Sequence, residues 1–179
     1  MDEIVAAALR KWPNVPHCFG WLALDARGDW YMRDDRIQAA GPFPRVKGSR
    51  IDHEKLREFI GRNYAADEGG AWFFQNGPQR VYVELEAAPW IWRLQSDPTS
   101  SVVVTSHTGR PANAEGTAFV DEHGRVFVAT DLGLGIVHTL DMGVAGDAIE
   151  RGVWHVEESP FEALVERFAY RLSPASERA

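Results

Sequence analysis

Cysteine occurs once, at Cys18, in a chain of 179 residues. An internal disulfide and a four-cysteine zinc site are thereby excluded, and a reducing cytoplasm is the expected compartment. Lysine is nearly as scarce, standing only at Lys11, Lys47 and Lys55, and basic residues are nowhere gathered into a block. Binding to a phosphate backbone depends on clustered Lys and Arg, so a chain of net charge −7 is a poor match for it. Nucleic acid is not expected as a partner. No apolar run approaches the roughly 18 residues of a membrane helix. The opening Met1-Asp2-Glu3-Ile4 carries acids where a secretory signal would carry positive charge. Neither membrane insertion nor export is expected.

What is present is ordinary globular composition, 45% hydrophobic and 25% charged. A chain of this length buries enough surface to fold without metal or disulfide, and its size predicts a single domain over residues 1–179. The end, from about residue 174, is expected to be a disordered tail. Three helices are readable. Residues 3–11 begin with acids and end with Arg10 and Lys11, which suits the helix dipole. Asp52 is placed to cap a helix to about Tyr64, with Leu56, Phe59 and Ile60 on one face. Ser159-Pro160-Phe161-Glu162 has the order of a capping box, opening a helix to about Leu172.

Between the helices the dominant signal is the β-hairpin. Gly20-Trp21-Leu22-Ala23-Leu24-Asp25-Ala26-Arg27-Gly28 leads through a polar turn into a second aromatic run. Shifted by 96 residues, Gly116 to Val128 repeats the Gly, the turn Asp and the turn Gly in register. Ala71–Val83, around Asn76-Gly77, is a looser third copy. Internal duplication and convergence on common turn chemistry both account for this pattern. Val81–Glu86, Trp90–Gln95 and Val102–Thr105 read as further strands, with a short strand at Ile136–Leu140. Ser96–Ser101 and Ser106–Glu115 read as loops, and Asp131–Gly135 and Met142–Asp147 as glycine-rich turns. The fold class is α+β: an antiparallel β-sheet built from hairpins, with about three covering helices.

Residues with chemistry are scattered. Of seven tryptophans, Trp90 and Trp92 lie two apart on one strand face. With Trp30 they are read either as core or as an exposed aromatic shelf for a small molecule or partner protein. The histidines include no close pair; the best metal-ligand set, His138 with Asp141 and His107, needs the fold to assemble it, and no metal or other cofactor is assigned. Cys18 follows His17, but neighbours on an extended chain point to opposite faces, so the thiol is read as inert. Glu84 and Glu86 alternate with Val81, Val83 and Leu85 as the wet side of a strand. No catalytic residue is assigned. The long loop with His107 and Arg110 is read as a binding loop.

Lys11-Trp12-Pro13-Asn14-Val15-Pro16, Gly20–Gly28, Met32-Arg33-Asp34 and Phe74-Gln75-Asn76-Gly77-Pro78-Gln79-Arg80-Val81-Tyr82-Val83 are together similar to an uncharacterised bacterial family of domains of unknown function. The resemblance spans about residues 10–170. It implies a bacterial protein of one domain and carries no activity, cofactor or site. The functional expectation is a non-catalytic binding or protein-interaction domain for a protein partner or small molecule, with a homodimer as one form. The alternative is a small hydrolase-like enzyme using His107, Arg110, His138 and Asp141.

Overall fold

The computed structural model describes residues 1–97 and 101–175. The chain divides into two compact units, residues 1–25, 29–86 and 170–179 in the first and 26–28 and 87–169 in the second. Unit 1 holds α1 (Glu3–Lys11), β1 (Cys18–Leu24), β2 (Trp30–Met32), α2 (Asp35–Ala40), β3 (Ser49–Arg50), α3 (Glu54–Arg62), β4 (Tyr64–Ala66), β5 (Trp72–Asn76) and β6 (Gln79–Leu85). Unit 2 holds β7 (Trp90–Ser96), β8 (Val102–Ser106), β9 (Pro111–Ala112), β10 (Ala114–Val120), β11 (Val126–Thr130), β12 (Gly133–Val137), a 3-10 turn at Thr139–Asp141, α4 (Met142–Glu150), β13 (His155–Glu158) and α5 (Phe161–Arg167). The class is α+β, as the hairpin pattern indicates, and the strands form two sheets.

Both sheets follow one plan. The first has the order β3-β2-β1-β6-β5-β4 and the second β13-β10-β11-β12-β7-β8-β9. In each, two three-stranded antiparallel meanders are joined by one parallel pair, β1 with β6 and β7 with β12. The second sheet adds β13, parallel to β10. This plan makes β4–β5–β6 the counterpart of β10–β11–β12. Asp67-Glu68-Gly69-Gly70 then stands where Asp121-Glu122-His123-Gly124 stands, an equivalence different from the shift of 96 residues.

The earlier match comes from a five-residue turn. The first residue's N–H donates to the fifth residue's carbonyl from Asp25 to Asp29 (3.0 Å), Asp67 to Ala71 (2.9 Å), Ser106 to Arg110 (2.8 Å) and Asp121 to Arg125 (3.1 Å). In every case the first side chain accepts the fifth N–H. The fourth residue is Gly28, Gly70, Gly109 or Gly124, all with φ between 72° and 84°, a region that penalises any residue with a Cβ. A short acceptor and a glycine at this spacing make the turn wherever it falls in a meander.

Local departures have local causes. His53, not Asp52, caps α3 by accepting the Leu56 N–H through Nδ1 at 3.3 Å, while Asp52 pairs with Arg50 at 2.7 Å. Helix α5 has no side-chain cap from Ser159; Glu122 accepts the Phe161 N–H at 2.8 Å instead. It stops at Arg167, well short of Leu172, and Ala169 turns the chain away at φ 50°. Residues 142–147, expected as a turn, open α4, where burial of Ala145 and Ala148 outweighs the glycines' poor helix propensity. The expected loop at 106–115 contains β9 and the start of β10. Residues 98–100 of the loop expected at 96–101 lie outside the described residues, as do 176–179 of the expected tail. Pro174 is buried, and Ala175 N–H donates to Glu84 at 3.2 Å.

Candidate functional site

Strand register in unit 1 assembles an apolar floor. Met32 pairs with Leu22 across β2 and β1, Cys18 with Val81 across β1 and β6, and Phe74 with Val81 across β5 and β6. Cross-strand partners share a sheet face, so these side chains form a band over four strands. Helix α3 runs alongside and contributes Leu56 and Ile60, one turn apart, and Ile51 precedes it. Between floor and helix lies a groove of about 260 Å³, with Trp21 on its rim and Asn76 as the one polar side chain among its lining residues. Trp21 is 38% exposed and Met32 50%. An apolar cavity of about 150 Å³ already accepts benzene, so this groove has room for a substituted ring or a short aliphatic chain. Burial pushes the Cys18 thiol up, which keeps it protonated and a weak nucleophile.

The residues singled out in the sequence lie elsewhere. Trp90 and Trp92 share a face as their spacing requires, but they are 2% and 0% exposed and form no shelf. They stack at 5.9 Å, and their indole N–H groups donate to the carbonyls of Leu132 (2.8 Å) and Val128 (2.9 Å). Gly135 makes room for the Trp92 indole, since any Cβ there would overlap it. Trp30, 3% exposed, belongs to unit 1 and meets Tyr64 edge-on at 5.3 Å. Trp30, Trp90 and Trp92 are thus interior residues.

The four residues of the hydrolase reading fall into two pairs. His107 N–H donates to the Ile91 carbonyl on the β8 side of β7, and His138 N–H to the Trp92 carbonyl on the β12 side. The two backbones are therefore about 10 Å apart, two strand spacings. His107 is half-buried, and the loss of solvent around its ring pushes its pKa down to about 3 and keeps the ring neutral. Its Nδ1 receives the Ile91 N–H at 3.4 Å, and the Arg110 guanidinium lies over the Trp90 ring at 5.4 Å. His138 Nδ1 accepts the Leu140 N–H at 3.1 Å. Asp141 is clasped by Arg93 through Nε (2.6 Å) and Nη2 (3.2 Å) and accepts the Leu94 N–H at 3.0 Å. The Arg93 pairing holds its carboxyl below the usual range.

His107, His138 and Asp141 do not form a three-donor group. Among the described residues, the group whose donor atoms all lie within 4.8 Å of one another is Asp121, Glu122 and His123. Sequence reading missed both this group and the apolar groove. Three adjacent ligand types at a turn were a signal in plain view, whereas the groove depends on which strands become neighbours.

The fold and groove define the chain as an α+β protein carrying two meander-pair sheets, one of them with an apolar cleft. By sequence it belongs to the family described as "Protein of unknown function (DUF2946)", whose model matches residues 1–177. Among curated proteins none matches. Among solved structures, the crystal structure of a DUF1285 family protein from Shewanella baltica OS155 is similar to it. That protein is 13% identical with a TM-score of 0.50, and the match covers 75% of this chain and 97% of the other. This likeness is one of fold. Among the described residues no helix is long and apolar enough to cross a membrane.

Proposed function

We propose that the protein is a binding domain that takes a small apolar molecule into the groove of unit 1. The observation that carries this reading is that two of its exposed large apolar side chains, Trp21 and Met32, stand on the same groove. Leaving such groups in water is costly, and covering them releases roughly 25 cal/mol per Å² of apolar surface. The site works by burial rather than by covalent chemistry, since its one nucleophile, Cys18, is held as the thiol. With a single cysteine the protein is assigned to the cytoplasm.

The test is titration with N-phenyl-1-naphthylamine, an uncharged dye that brightens in apolar surroundings. Saturable enhancement is expected, and Met32→Glu, at the half-exposed edge, is expected to weaken it at least tenfold with an unchanged circular dichroism spectrum. Absence of saturable binding, or equal binding by the folded variant, contradicts the proposal.

A further inference from the structure

We propose that the β10–β11 turn of unit 2 is a divalent transition-metal site, with Asp121 Oδ2, Glu122 Oε1 and His123 Nδ1 as its protein ligands. His123 Nδ1 lies 3.6 Å from Glu122 Oε1 and 3.8 Å from Asp121 Oδ2. Ligands about 2.0–2.2 Å from a tetrahedral zinc ion are roughly 3.3–3.6 Å from one another, so a small closure of the turn brings the donors to bonding distance. His123 supplies that freedom, its side chain being 67% exposed.

The two carboxylates are already aimed. Asp121 Oδ1 accepts the backbone N–H groups of His123 (3.0 Å) and Arg125 (2.8 Å), and Oδ2 accepts Arg125 Nε at 2.6 Å. Oδ2 keeps a second lone pair, and because the Asp121 side chain is 0% exposed a metal would reach it from the exposed Glu122 and His123 side. Glu122 uses Oε2 for the Phe161 N–H at 2.8 Å and turns Oε1 toward His123. Such outer partners fix ligand orientation in metal sites.

Charge and space agree with the ligand set. A groove of about 460 Å³ adjoins the turn and is lined by Asp121, Glu122, Glu158 and Ser159. Three carboxylates, those of Asp121, Glu122 and Glu158, line it together, which suits a divalent cation. Glu122 and His123 are exposed, so water reaches the site from their side, as in an accessible site rather than a closed structural one. One imidazole with carboxylates favours zinc or manganese over magnesium or calcium. The corresponding turn of unit 1 is an internal control. There Gly69 replaces the histidine, and Asp67 Oδ2 accepts the Tyr82 hydroxyl at 3.0 Å.

Isothermal titration of the untagged full chain with zinc chloride tests the site. One equivalent is expected to bind, with His123→Ala lowering affinity at least tenfold and magnesium failing to compete. Because Glu122 also holds the start of α5, the histidine variant is the decisive one, with its melting temperature expected within a degree or two of the parent. A parent protein that takes up no zinc, or a His123→Ala variant that binds equally well, overturns the proposal.

Discussion

Two sheets of one strand plan are used differently in the two units. In unit 2 the central strands carry Trp90, Trp92, Phe119 and Phe127, all buried, and α5 with its C-cap lays Phe161 and Phe168 against Phe127 and Phe119. In unit 1 the groove face carries Leu22 on β1, Met32 on β2, Phe74 on β5 and Val81 on β6, and α3 closes only part of it. Topology sets where a face lies; how completely the side chains of a neighbouring helix cover it decides whether that face becomes a core or a cleft.

The largest expected effect therefore separates two tryptophans. Trp92→Ala empties a packed centre and strands the Val128 carbonyl, and it should cost about 3–5 kcal/mol in urea unfolding. Trp21→Ala, on the groove rim, should cost under about 1 kcal/mol. Near-equal losses would break the distinction between sealed and open faces.

A second contrast is electrostatic and belongs to unit 2 alone. His107 titrates near 6.5 when unfolded but is pushed down to about 3 by burial. The unfolded chain then binds the proton first. This group's contribution is intact above pH 6.5 and is lost as pH falls toward 3, by up to about 1.4 kcal/mol per pH unit. Unfolding measured at pH 7 and pH 5 should differ by about 2 kcal/mol from this source, and His107→Gln should flatten the difference. A slope unchanged in that variant would place the acid sensitivity elsewhere. The smallest effect is the stability cost of Met32→Glu, within about 0.5 kcal/mol as for other exposed positions.

Much of the architecture was legible from local chemistry. Acids and bases at its ends marked α1, and the Asp-x-x-Gly spacing marked turns that the structure repeats; Val81, Val83 and Leu85 marked β6, but Glu84, expected on its wet side, is buried and accepts the Ala175 N–H. Helix α4 was hidden because its glycines read as turn residues, and only burial of Ala145 and Ala148 reveals why it forms. The groove was hidden for a related reason. Cys18, Met32, Phe74 and Val81 are ordinary strand residues until register makes them neighbours. Trp90 and Trp92 drew attention by size, yet size is what fitted them to the interior.

The central claim, that unit 1 holds the open apolar site while the tryptophans of unit 2 are sealed, is tested most directly by the indole N–H signals in a two-dimensional nitrogen–proton NMR spectrum. During titration with N-phenyl-1-naphthylamine, the Trp21 signal should move progressively to saturation while those of Trp90 and Trp92 stay in place. Movement of the Trp90 and Trp92 signals with Trp21 unmoved would contradict the account.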